Sequence, residues 1–190
     1  MKSSISERTY KAIYRLLNRV SPLKEACGSL CDSVCCTCGE EESAAKGFSL
    51  GIYLLPGEDQ IFTKNEDWLE WSYSKVKEAD FPDSWSGIVY FIRCKTPPVC
   101  QRDLRPLQCR VFPLAPHLTK NGELKMIMFP ASILPYKCPL IEDHISLSRE
   151  FIKATHTVWK HLIRDDLIYD LVEYDSGFRI ESKLSFLEII

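Results

Sequence analysis

Apolar positions along the chain follow two periods, and they predict an α+β fold. Tyr10, Ile13, Tyr14, Leu17 and Val20 recur at helical spacing, while Arg8, Lys11, Arg15 and Arg19 fall mostly elsewhere on the cylinder. This predicts a helix from Ser4 to Val20, ended by Ser21-Pro22. A face of Phe151, Ile152, Thr155, Val158, Trp159, Leu162 and Ile163 predicts a long helix from Ser146 to Arg164. A further helix is expected from Asp165 to Tyr174, with Gly177 as its C-terminal cap. Between these ends the pattern shortens. Leu50 to Leu55 reads as a strand closed by Pro56-Gly57, and Pro56 to Thr63 as the start of a short helix, with Pro56 near its first position and Glu58 and Asp59 in its first turn. Trp71, Tyr73 and Val76 alternate as a strand would. Ile88 to Ile92 is a β-branched and aromatic run leading straight to Cys94. Asn121-Gly122 signals a hairpin joining Val111–Leu118 to Leu124–Phe129, with Pro113 and Pro116 restricting the first arm to a sheet edge or an irregular segment. The expected architecture is a small antiparallel strand core with an N-terminal helix and C-terminal helices. Cysteine-rich loops are gathered at one edge.

Bulk properties narrow the function classes. The chain has 190 residues and suits one domain, 1–190. A net charge of −2 gives no global attraction to nucleic acid or anionic membrane. No stretch is long and apolar enough to span a bilayer. The start, MKSSISERTYKAIYRLL, lacks the apolar core and cleavage site of a signal peptide, so a cytoplasmic, reducing location is expected.

Cysteine changes the picture most. Eight of the nine cysteines fall into two clusters. The first is Cys27, Cys31, Cys35 and Cys36, with Cys38 just beyond. The second is Cys94, Cys100 and Cys109, followed by Cys138. Thiolates bind soft or borderline ions, and closely spaced cysteines can wrap one ion or cluster. The expected cofactor is therefore zinc or an iron–sulfur cluster, bound as a tertiary staple coupled to folding. Adjacent side chains normally diverge, so Cys35 and Cys36 are not expected to face one centre. Four thiolates around a divalent ion leave a formal charge of about −2. Arg105 and Arg110, with Arg102, could offset that charge and donate N–H groups to sulfur, or could bind an anionic substrate. Buried apolar packing of the cysteines and disulfide pairing are the alternatives; Cys38 suits the packing role best. His117 is a weaker ligand candidate. The acidic run Gly39-Glu40-Glu41-Glu42 reads as a solvated loop.

Several chemistries lack their signatures: Walker loop, HExxH, GxSxG and GxGxxG. The spacing Cys27-x3-Cys31-x3-Cys35 misses the C-x3-C-x2-C pattern of radical S-adenosylmethionine enzymes by one residue.

Three signatures in order carry a resemblance. Cys27-Gly28-Ser29-Leu30-Cys31 with Cys35-Cys36 is one. Gly51-Ile52-Tyr53-Leu54-Leu55-Pro56-Gly57-Glu58 is the next. The third runs from Cys100 through Arg102, Arg105, Cys109 and Arg110 to Pro113, with Cys138-Pro139-Leu140 beyond. Over about residues 25 to 140 the chain resembles the bacterial zinc- or iron-chelating domain family named for its CxxxCxxCC motif. It departs in having three residues between Cys31 and Cys35. The resemblance implies metal binding, with zinc or an iron–sulfur cluster. Related cysteine motifs occur in flagellin lysine N-methylase, a longer enzyme.

The function expected from the sequence is metal binding in an accessory or redox-related role. Its rivals are a structural zinc module that binds a partner protein, and an enzyme that modifies a protein substrate. Shared motifs do not choose between them.

Overall fold

The computed structural model describes residues 3–24, 27–37, 51–78, 80–96 and 105–190. Helix α1, Glu7–Leu17, begins where the Ser6 hydroxyl accepts the Thr9 N–H at 3.2 Å. It is shorter than the apolar pattern suggests, because Ser3 and Ser4 are used elsewhere. It buries Tyr10, Ile13, Tyr14 and Leu17. Those side chains meet Leu54, Leu55, Leu107, Phe151, Val158, Leu162, Ile168 and Val172 in the main core.

The long C-terminal pair appears as expected in place but not in length. Three short helices, α2 (Val34–Thr37), α3 (Leu107–Val111) and α4 (Pro139–Glu142), precede helix α5, Arg149–Leu162, which is capped by Ser148, whose hydroxyl accepts the Phe151 N–H. It buries Phe151, Ala154, Thr155, Val158, Trp159 and Leu162; of the predicted face Ile152 and Ile163 are only partly buried, and Ala154 joins it. Ser148 also donates its N–H to the Pro22 carbonyl at 2.8 Å and its hydroxyl to Ser21, fixing the exit of α1. Helix α6, Asp166–Glu181, runs straight through Gly177. The glycine was expected to cap. Instead its flanks bond to the neighbouring sheet: the Leu118 N–H donates to Ser176 Oγ at 2.9 Å, and Arg179 donates to the Pro116 carbonyl at 3.1 Å. Those bonds hold the second half of the helix in register, and the turn to Lys183 comes only after Ser182.

Two antiparallel sheets lie between the terminal helices. In the first, β1 (Ile52–Tyr53), β2 (Leu69–Lys75) and β3 (Ile88–Cys94) take the order β1-β3-β2, with Tyr53 opposite Phe91 and Trp71 opposite Ile92. Gly51 enters β1 at φ +140, and a Cβ there would stand 2.3 Å from the Phe91 ring and 2.7 Å from the Ile92 carbonyl. Val76 is not part of β2. It opens a 3-10 turn, Val76–Glu78, and is buried beside Trp85 and Val89. A second 3-10 turn, Glu58–Ile61, stands where a short helix was expected; it starts at Glu58 with Gly57 as its N-cap, so Pro56 lies before it and not at its first position.

The second sheet pairs β4 (Leu114–Leu118) with β5 (Leu124–Met128). Its connection spans residues 119–123, closed by Thr119 N–H to the Glu123 carbonyl, and Gly122 takes φ +75. Val111 does not join β4. It ends a short helix, α3, Leu107–Val111, and the strand starts only after the cis Phe112-Pro113 bond. Pro116 sits in β4 without disturbing the ladder because that strand is an edge, as expected. On the far side of β5 the C-terminal residues make a single antiparallel bridge, Glu188 opposite Ile127. Met128 N–H donates to the Leu187 carbonyl and Ile189 N–H to Met126, each at 2.8 Å. Among the described residues no helix is long and apolar enough to cross a membrane.

Asp165 closes the molecule's two ends. Its Oδ2 accepts the Ser3 hydroxyl at 2.9 Å, the Ser4 N–H at 2.6 Å and the Ser4 hydroxyl at 2.7 Å, while Oδ1 accepts the Ile168 N–H and caps α6. Burial pushes this carboxyl up, but the bonds from Ser4, Ser3 and Ile168 more than reverse it, leaving it below its ordinary value. A carboxyl depressed in the folded state adds stability that is complete above the unfolded value, about 3.9. That stability is lost as pH falls through the folded value. Asp165→Asn should therefore cost about 1–3 kcal/mol at neutral pH and progressively less in acid. Urea midpoints at pH 7 and pH 3 check this; an equal penalty at both would refute it.

A candidate thiolate centre

The first cysteine segment is a tight double turn. A 3-10 turn, Cys27–Leu30, is followed by helix α2, Val34–Thr37. Between them Asp32 and Ser33 both take left-handed backbone, φ +49 and +57. The residues between Cys31 and Cys35 thus turn the chain sharply. Ser33 N–H returns to the Gly28 carbonyl at 3.0 Å, and Cys36 N–H reaches the Ser33 carbonyl at 2.7 Å. The Thr37 hydroxyl closes on Asp32 and Ser33. Four cysteines are thereby presented from eleven residues, 27–37, with no residue of either helical turn buried.

Packing brings this segment to the second group. Leu23 and Cys27 lie against the small core of Met128, Leu134, Cys138, Leu140 and Ile141. Cys138 is buried and leads into a short helix, α4, Pro139–Glu142. Burial raises its thiol, and the sulfurs of Cys31 and Cys27 raise it further. Cys35 is pushed above the ordinary thiol range, first by its contact with Cys36, then by burial, and by the charges of Cys36, Cys109 and Cys27. Six of the predicted ligands therefore act on one another electrostatically: Cys27, Cys31, Cys35, Cys36, Cys109 and Cys138. They come from three separate parts of the chain. Cys94 ends β3 with its sulfur 4.0 Å from Thr96 Oγ1. Cys100, Cys38, Arg102 and the acidic run 39–42 lie outside the described residues. None of the seven described cysteines forms a disulfide.

One expectation is overturned. Cys35 and Cys36 do not diverge; their sulfurs lie 3.8 Å apart. Cys36 is lowered to about 6, first by the hydrogen bond from Cys35 and also by the Arg105 guanidinium, with burial opposing. A tetrahedral centre with zinc–sulfur bonds of about 2.3 Å spaces its sulfurs by about 3.8 Å. The pair thus has the separation of one edge of such a shell. Among the described residues, no three His, Cys, Asp or Glu side chains stand together as a complete set for an ion. The donor chemistry fits a soft ion nonetheless: clustered thiols, one readily deprotonated, beside a guanidinium.

Arg110 and Cys109 are positioned by a residue that the sequence reading placed only as a helix-start acid. Glu58 is fully buried. Its Oε1 accepts the Tyr14 hydroxyl at 2.5 Å and the Leu107 N–H at 2.6 Å, and its Oε2 accepts the Leu55 N–H at 2.9 Å. The carboxylate joins α1, the β1 exit and the start of α3, two residues before Cys109. Arg110 then lies 4.1 Å over the Tyr14 ring and donates to the Arg105 carbonyl at 2.6 Å and to Asn18 Oδ1. The signal available in the sequence was an acid directly after the apolar Leu54-Leu55-Pro56-Gly57.

His117 is not placed among the cysteines. It is buried in β4 with its ring 4.9 Å from that of Phe186, its Nδ1 lacks a hydrogen-bond partner, and burial lowers its basicity. No protein-family model, curated protein or solved structure matches the chain.

Proposed function

We propose that this protein binds a thiophilic metal, zinc or an iron–sulfur cluster, through cysteines drawn from both sequence clusters. One observation supports this above the rest: Cys27 packs against the small core that holds Cys138, and the thiols of Cys31, Cys35, Cys36 and Cys109 are close enough to join this pair in one electrostatic group, although 73 positions separate even Cys36 from Cys109. Cys94 and Cys100 complete the candidate ligand set. Arg105 supplies positive charge beside Cys36, which lowers the energy of a net-negative thiolate shell, while Arg110 would support the site by holding the Arg105 carbonyl. When bound, the metal would tie the N-terminal segment to the second sheet and α4, and an iron–sulfur cluster would add one-electron chemistry. The exposure of Cys35 and Cys109 favours an accessory or redox-related centre over a sealed structural zinc.

Anaerobic purification, elemental analysis and absorption spectroscopy test the reading. Stoichiometric zinc or iron is expected, iron with visible charge-transfer bands. Protein that holds neither metal, even after reconstitution, would end the proposal.

A further inference from the structure

We infer that Cys35 and Cys36 form a two-thiol chelate for a trivalent arsenical bearing one organic substituent, built on their 3.8 Å sulfur separation in the accessible α2 turn. The inference deepens the metal-binding reading and rests on it for the use of these sulfurs as ligands.

The separation excludes a linear centre. A centre with bonds of about 2.3 Å to each sulfur would see this pair at an angle of about 110°. A linear two-coordinate ion would need the sulfurs about 4.6 Å apart on the same bond length. The pair therefore suits a bent centre and not a linear one. Trivalent arsenic is bent more sharply than a tetrahedral centre, because its lone pair occupies the remaining position, so capture draws the two sulfurs slightly closer by rotation of the exposed Cys35 side chain. A single organic group on arsenic supplies the third bond, so two protein sulfurs complete the shell. The close pair meets that demand by itself.

The pair is also held. Adjacent side chains on a helical turn usually point apart, yet these converge. Their turn is fastened by Cys36 N–H to Ser33, by Thr37 N–H to Ser33 at 3.2 Å and by the Thr37 hydroxyl. Linking two donors in one rigid turn makes the second bond intramolecular. This multiplies affinity by about 100-fold or more over a single thiol.

The reaction with phenylarsine oxide balances without redox change. Two S–H bonds and the arsenic–oxygen bond break, and two arsenic–sulfur bonds form. Both thiol protons leave with the oxygen as one water, and arsenic stays trivalent.

The test uses the full-length reduced chain, as purified and after chelator treatment, titrated with phenylarsine oxide and read by intact mass. One phenylarsenic per chain is expected, bridging Cys35 and Cys36 in peptide mapping of the wild-type protein. Cys35→Ser and Cys36→Ser should each raise the dissociation constant about 100-fold or more. An unchanged constant in either variant, a bridge mapped to other cysteines, or no adduct in either preparation overturns the inference. Mapping on wild-type protein decides the matter if a variant does not fold. Zinc and iron are measured on the same sample. An adduct without metal uptake leaves the inference standing and sinks the metal reading; metal uptake without an adduct does the reverse.

Discussion

Glu58→Ala is expected to cost roughly 3–5 kcal/mol, the loss typical of breaking a buried, fully bonded charged group. The reason lies in what the carboxylate serves. The Leu107 and Leu55 N–H groups and the Tyr14 hydroxyl all donate to it inside the core, and none would meet water after its removal. Each stranded donor costs about 1–3 kcal/mol. Burial pushes the Glu58 carboxyl up, and its bonds to Tyr14, Leu107 and Leu55, together with the charge of Arg110, pull it part of the way back. Domains of this size carry about 5–15 kcal/mol in total, so the variant should melt far below the wild type. Glu58→Gln keeps one acceptor for Tyr14 and Leu107 but turns an amide N–H₂ toward the Leu55 N–H. A smaller penalty of about 1–3 kcal/mol follows. Urea unfolding of the three proteins measures both values. An alanine variant within about 0.5 kcal/mol of the wild type would show that these bonds add nothing net.

Cys109→Ser should weaken metal retention more than 100-fold, beyond the 10–100-fold typical of residues that only support a ligand. Serine offers a hard, protonated oxygen where the metal requires a soft thiolate. Arg105→Ala should fall inside that supporting range, because it removes charge next to Cys36 but no donor atom. Cys38→Ser serves as the reference, expected to hold metal as the wild type does. Competition against a coloured chelator ranks all of them. Equal losses from Cys109→Ser and Cys38→Ser would erase the division between ligand and spectator sulfur. Wild-type affinity in Arg105→Ala would remove the guanidinium from the site.

The terminal helices were legible because their faces bury what the 3.6-residue period lines up. Phe151, Thr155, Val158, Trp159 and Leu162 needed nothing else. The places where the reading slipped are those where a distant partner decides. Gly177 looks like a stop, but Ser176 and Arg179 are bonded to β4, nearly sixty residues earlier or more. Val111 looks like a strand residue, but the chain turns at Phe112-Pro113 and leaves it to close α3. Glu58 gave only a local hint of its role, since two of its three donors lie more than forty residues away. For the site, spacing marked the cysteines as a set. It could not show that Cys35 and Cys36 converge, because side-chain direction in a four-residue helix depends on the left-handed turn before it.

The cysteine segment also differs from the core in how its folding is supported. Neither of its helical turns contains a buried residue, while α1 and α5 each bury a full apolar face. Such a segment opens at small free-energy expense while the core stays closed. Its amide protons should then exchange with deuterated solvent long before those of α5, and ligand occupancy would slow them selectively. Any ion held there must supply the ordering energy itself, so the strength of capture and the stiffness of residues 27–37 would rise and fall together.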